Sequence, residues 1–324
     1  MDGDMNGTLD FYYIELTEFE DYGPLRYVFF TLCLLLFMII ISANVVVILT
    51  VSLKKSLHQP MYIFICCLCV NSLLGSSGFF PRFLMDLLSD THFISLPFCF
   101  IQMYVVVSCA SHELPLLCIM AFDRLIAICH PLHYNSKMTL KTVVCVIIFV
   151  ELYPALLVGI FVLTLVGLPL CRNKLHNLYC AKLSVLTCVD TTTNRRAVQV
   201  VSVTTVFLPL VLILYTYLRI LTVCRRSSAK VKGKAFQTCL PHILIFLNFS
   251  FSVLCDLVMS SLRQSKSVHP AVIAVLTLER LAVHPLSNPL VYGFNLPQIR
   301  GVIFRRLKIN MKCFFLLHDT KSNM

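Results

Sequence analysis

Residues 27–53 contain no charged side chain. A helix of about 20 apolar residues, each rising about 1.5 Å, crosses the roughly 30 Å hydrocarbon core of a bilayer. In lipid every backbone polar group has to be bonded within the protein, so a run of this length is a membrane-spanning helix. The same test finds seven spans, at about 25–52, 60–86, 96–129, 142–168, 197–223, 235–262 and 270–294. The third and seventh enclose charges, Glu113 in one and Glu279 with Arg280 in the other, and are the weakest on hydropathy. A count of six would drop or fuse one of these. Composition points the same way, with 58% hydrophobic and 13% charged residues, where a soluble domain averages about 25% charged.

Charge asymmetry decides the count. The connections after spans 1, 3 and 5 carry Lys54 and Lys55, then Lys137 and Lys141, then Arg225, Arg226, Lys230, Lys232 and Lys234. The tail adds Arg300, Arg305, Arg306, Lys308 and Lys312, whereas the first 24 residues hold seven acids and no base. Positive charge stays on the cytoplasmic side, so the tail and these connections are expected inside and the N-terminus outside. Termini on opposite sides require an odd number of crossings. The net charge of +11 is therefore topological and lipid-directed, and nucleic-acid binding is excluded. The layout is an all-α membrane protein: an extracellular tail over 1–24, a seven-helix bundle over 25–294 and a cytoplasmic segment over 295–324.

Within that last segment Ile299, Ile303, Phe304 and Leu307 alternate with Arg300, Arg305, Arg306 and Lys308, which suits a short amphipathic helix on the lipid bilayer surface. Cys313 just beyond is either an acylation site or a plain buried cysteine. Asn6-Gly7-Thr8 is a glycosylation sequon on the outer side; Asn248-Phe249-Ser250 also matches but lies inside the sixth span. No basic stretch and apolar core of a cleaved signal peptide precede the first span. The sixteen cysteines are scattered, unlike a zinc ribbon or a disulfide scaffold. Four of them, Cys99, Cys171, Cys180 and Cys188, fall on the outer side and allow three pairings; one bridge ties the long loop to the third span. His176 beside Cys180 reads as structural, and no metal site is expected. No Ser/His/Asp, Cys/His or HExxH arrangement converges, so the chain is not read as an enzyme. No inverted repeat or matching pair of interrupted helices points to a transporter. Nothing sets an oligomeric state.

Four motifs stand in order along the chain: PMYIF at 60–64, MAFDRLIAICHPLHY at 120–134, KAFQTCLPH at 234–242 and NPLVY at 288–292. Together they closely resemble those of the olfactory receptors among the rhodopsin-like G protein-coupled receptors. VYGFNLPQIR and CVNSLLG look most like the fish-type branch. The chain departs from the family pattern at Leu125 (usually Tyr), Pro241 (usually Ser), Asn71 (commonly Asp), Ser250 (usually aromatic) and His284 (usually apolar or Pro). The resemblance implies a small-molecule odorant as ligand and a heterotrimeric, cAMP-raising G protein as partner. The same fold serving as a non-olfactory chemoreceptor is the alternative. It implies that Asp123 restrains Arg124 in the resting state, and that Tyr217, His242, Asn288, Pro289 and Tyr292 belong to the coupling machinery. It also selects the pairing Cys99–Cys180, leaving Cys171–Cys188 as a loop staple.

Glu113 lies ten residues before Asp123, about 15 Å up the helix and near the bilayer midplane. An ionised side chain there costs about 2.5–3.5 kcal/mol even on the lenient insertion scale, so something has to face it. By resemblance Asn44, Asn71 and Asn288 line that polar core, where a sodium ion or a shared proton is the candidate; no other cofactor is expected. Pro115 is expected to kink the helix beside it.

Helical spacing supplies the candidate ligand pocket. Met103, Val106, Val107, Ala110 and Ser111 share one face of the third span. Ser250, Val253, Leu254 and Leu257 repeat this on the sixth, Val201, Ser202 and Thr205 precede Pro209 on the fifth, and Leu278 and Ala282 face in from the seventh. No acid or base sits within these stripes. They predict a small, mostly neutral ligand oriented by one or two hydroxyls.

Overall fold

The computed structural model describes residues 12–17, 19, 23–166, 168, 170, 172–175, 177–180, 192–226, 228–264, 276 and 279–305. Its long helices are α1 Leu25–Leu53, α2 Pro60–Leu88, α3 Leu96–Cys129 and α4 Leu140–Leu165. α5 runs as Thr192–Ser202, a π-helical turn Val203–Phe207 and Leu208–Arg225; α6 is Ala229–Gln264. α7 is described from a π-helical turn Glu279–Val283 into His284–Asn295, and α8 covers 297–305. The result is a seven-helix transmembrane bundle with a short amphipathic helix after it. Six of these helices, α1 to α6, are long and apolar enough within the described residues to cross a membrane.

Local chemistry explains the starts and irregularities. Pro60 opens α2 and Pro97 lies in the first turn of α3, where a missing N–H costs nothing. Thr139 caps α4 by accepting from the Thr142 amide at 3.2 Å. Both π-helical turns precede a proline, Pro209 or Pro285, whose absent N–H would have bonded Thr205 or Leu281; the widened turn absorbs that loss. α3 passes through Pro115 without interruption.

Burial is inverted relative to a water-soluble bundle. Leu35, Phe149, Leu163 and Leu218 are 55–69% exposed on the outside, while Asn44, Asn71, Glu113 and Asn288 are at most 6% exposed inside. Lipid is the solvent that this distribution suits. On α8, Ile299 is buried in the same core as Tyr292 and Leu296, while Arg300 and Arg305 are exposed. Phe304 is exposed too, and Leu307 lies outside the described residues.

Sequence patterning did not anticipate a small sheet at one end of the bundle. β1 (Tyr13–Leu16) lies between β2 (Phe93–Ser95) and β3 (Lys174–Leu175), antiparallel to the first and parallel to the second. Its Ile14 and Leu16 are buried with Ile94, Leu175 and the Cys99–Cys180 disulfide, so part of the N-terminal tail belongs to the folded body. Cys180 N–H also donates to Gln102 Oε1 at 3.0 Å, and Gln102 Nε2 donates to the Gly78 carbonyl at 3.2 Å. Gln102 thus fastens the loop to both α3 and α2. Cys171 and Cys188, like Asn6, lie outside the described residues.

Candidate functional site

A cavity of about 480 Å³ opens between α2, α3, α5, α6 and α7. Val106, Val107, Ala110 and Ser111 form its α3 wall, and Val201, Ser202 and Thr205 its α5 wall, as spacing predicted. On α6 the predicted face is rotated. Phe249, Ser252 and Val253 line the cavity, whereas Leu254 is 56% exposed on the outside and Ser250 donates back to the Phe246 carbonyl. α6 is apolar nearly all round through this stretch, so its sequence leaves the rotational phase open. Met103 is absent from the wall because it is buried under the sheet with Cys99 and Cys180. Ala282 packs into the α1–α2 cluster, and Leu281 lines the cavity instead. Leu278 and the Leu257 side chain lie outside the described residues.

The floor of the cavity is the polar core. Asn71 Nδ2 donates to Glu113 Oε2 at 2.9 Å, and Asn288 Nδ2 donates to Oε1 at 3.0 Å and to Ser72 Oγ at 3.0 Å. Asn44 does not reach Glu113; it donates to the carbonyls of Ile40 and Pro285 and joins α1 to α7. The partner missing from the sequence reading is His284. Its Nε2 lies 3.0 Å from Glu113 Oε1, an ion-pair distance. Its Nδ1 faces Asn248 Nδ2 at 3.2 Å, and Asn248 also donates to Ser287 Oγ. A ring that accepts at Nδ1 carries its proton on Nε2, toward the carboxylate. The signal was present: His284 is four residues before Asn288, on the same helical face, and it breaks the family pattern opposite an acid that needs a partner.

A sodium ion is the candidate occupant of this core. Hard cations are held by oxygens, but the groups that meet Glu113 are nitrogen donors from Asn71, Asn288 and His284.

At the far end of α3, Arg124 donates to Asp123 Oδ2 through Nε at 2.9 Å and through a second, shorter contact from Nη2. Tyr134, in the one-turn helix Tyr134–Lys137, donates to Asp123 Oδ1 at 2.8 Å. Asp123 is fully buried beneath them. Beside this cluster His242 meets Tyr292 edge-on, ring centroids 5.7 Å apart. The hydroxyls of Tyr217 and Tyr292 and Nε2 of His242 have no hydrogen-bond partner among the described residues. Tyr62 of the PMYIF motif donates to Gln298 Oε1 at 2.6 Å and anchors the start of α8. Asn288 and Pro289 are buried one turn above Tyr292, so α7 links the cavity floor to this end.

Comparison with known proteins agrees with this geometry. A family model described as "Olfactory receptor" matches residues 32–310. The mouse protein Olfactory receptor 1M1 is 30% identical over 91% of this chain and 93% of its own. The human Olfactory receptor 56A4 is 34% identical over 85% and 88% respectively. Among solved structures, squid rhodopsin superposes with a TM-score of 0.72 over 91% of this chain and 89% of its own, at 18% identity, which is a likeness of fold. The chain belongs to the olfactory receptor family and has the seven-helix fold of rhodopsin.

Proposed function

We propose that a small odorant molecule held in the cavity between α3, α5, α6 and α7 shifts the bundle to a state that activates a heterotrimeric, cAMP-raising G protein. Membership of the olfactory receptor family supports the receptor role. The observation that carries the site assignment is the shared floor: Glu113, His284 and Asn288 border or underlie the cavity and join α3 to α7. Those two helices also carry Arg124 and Tyr292. A ligand that displaces a floor group therefore acts on elements that reach the coupling end. In this reading Asp123 restrains Arg124 at rest, and Tyr217, His242 and Tyr292 find partners in the active state.

The sheet and the Cys99–Cys180 bridge lie at the end opposite Lys54, Lys137, Arg225 and Arg226. Disulfides persist in oxidising compartments and bases stay cytoplasmic, which supports an extracellular N-terminus in the plasma membrane. The test is ligand-evoked cAMP in cells co-expressing an olfactory-type G protein, screened with water-soluble odorants. Arg124→Ala should reach the surface and lose the response. A response that survived Arg124→Ala at equal surface level would overturn the coupling assignment.

A further inference from the structure

The floor of the cavity offers a ligand one unusual feature, a buried carboxylate whose only cationic candidate among the described residues is a histidine. Glu113 is 3% exposed and His284 8% exposed, both within the bundle and both lining the same cavity as Ser111 and Val253. Asn71, Asn288 and Ser72 are uncharged. The other groups around the pair are neutral as well: Asn248, Phe249 and Ser252 on α6, Asn44 on α1, Thr205 on α5, and the thiols of Cys69 and Cys109 and the phenol of Tyr292 near Glu113. The next acid on α7, Glu279, is bonded by Ser252. His112 on α3 faces α4, with its nitrogens at the carbonyls of Ser108 and Glu151 and its Nε2 3.7 Å from the Glu151 carboxylate. So the floor carries one negative charge when His284 is neutral and none when it is protonated.

We propose that the cavity floor is an ammonium site: it takes a small aliphatic amine whose protonated nitrogen pairs with Glu113, in exclusion of a protonated His284. Glu113 Oε2 accepts a single hydrogen bond, from Asn71, so it has acceptor capacity left for an ammonium. A carboxylate ligand would meet Glu113 charge against charge, and an alcohol would leave the floor's charge unchanged. The valine walls and Phe249 suit a short alkyl chain. The inference rests on the reading of this cavity as the ligand site, and it adds a linkage: proton and amine compete for one charge, so amine binding weakens as pH falls even though the amine stays protonated.

The full-length receptor in phosphatidylcholine nanodiscs, titrated with n-hexylamine and with n-hexanol against empty discs, tests this. An alkyl ammonium stays charged up to about pH 10, like lysine, so lowering the pH leaves the amine's charge unchanged and adds protons only to the receptor. At about pH 8 hexylamine should bind about tenfold more tightly than hexanol, the size of one charge-assisted hydrogen bond. At about pH 5.5 that advantage should shrink severalfold. His284→Gln should retain the amine preference with no pH dependence, and Glu113→Gln should bind amine and alcohol alike. Should Glu113→Gln fail to fold, the wild-type amine–alcohol comparison and the His284→Gln pH profile decide. Equal binding of amine and alcohol, binding of neither, an unchanged pH dependence in His284→Gln, or an amine preference lost in Glu279→Gln but kept in Glu113→Gln would each overturn the ammonium site. Tight amine binding without a cAMP response would instead uphold the site and overturn the receptor reading on which it rests.

Discussion

Tyr134→Phe removes one atom and isolates one restraint. The Tyr134 hydroxyl donates at 2.8 Å to Asp123 Oδ1, while Arg124 holds the other oxygen. Burial, and then the neighbouring Asp123 carboxylate, hold the Tyr134 hydroxyl well above the ordinary tyrosine range, so it remains a donor at every pH a cell tolerates. A hydrogen bond to a charged group contributes about 1.5–3 kcal/mol, and Asp123 has no solvent to replace it. If the bond is made only at rest, its loss multiplies the active-to-resting ratio by about ten- to a hundredfold. From a minor active state of about 1%, the active fraction would rise to somewhere between about 10% and 50%. Basal cAMP per surface-labelled receptor measures this directly. Because Phe keeps the ring and its packing, folding should be little affected. Basal signalling that stayed level or fell at unchanged surface density would refute the restraint.

Other substitutions probe other parts of the structure. Cys99→Ser or Cys180→Ser should abolish surface labelling, because the bridge and the Gln102 bonds act together on one loop; Gln102→Leu should lower it only in part. Ser111→Leu should fill the α3 wall and abolish ligand responses at normal surface level, whereas Thr205→Ala should shift potency little, since that hydroxyl is already spent on the Val201 carbonyl at 2.7 Å. Gly78→Ala would place a Cβ 2.7 Å from Val105 Cγ1; the stiff β-branched neighbour makes overpacking of about 1–3 kcal/mol the expectation, read as reduced surface expression and a lower Tm in detergent.

The spans were legible because length and apolarity leave one solution in lipid. α3 begins and ends where hydropathy placed it, and α2 and α4 differ by two or three residues at their ends. Asp123 and Arg124 were legible because two charges at the end of an apolar run need a shared reason. The face of α6 was not, because an apolar helix seen by lipid on one side and by protein on the other has no polar stripe to set its phase; Phe249 and Ser252 line the cavity where Ser250 and Leu254 were expected. The neutral-pocket expectation was drawn from stripes that form only part of the cavity wall. Glu113 was read as core chemistry, below the ligand stripes, and His284 only as a departure from the family pattern, yet both border the cavity. β1 escaped notice since four residues of strand in an acidic tail carry almost no periodic signal.

That strand has a consequence for the order in which the chain is assembled. β1 is synthesised before α1, but the residues that complete its second edge come much later: Thr17 bonds Leu175 across a separation of 158. β2 becomes available after α2, and β3 only after α4 and its following loop. Until then β1 keeps one row of backbone donors and acceptors open, the kind of edge that invites wrong pairing. It follows that a segment made before α1 is among the last to lock, and a chain arrested before Leu175 displays its incompleteness on β1.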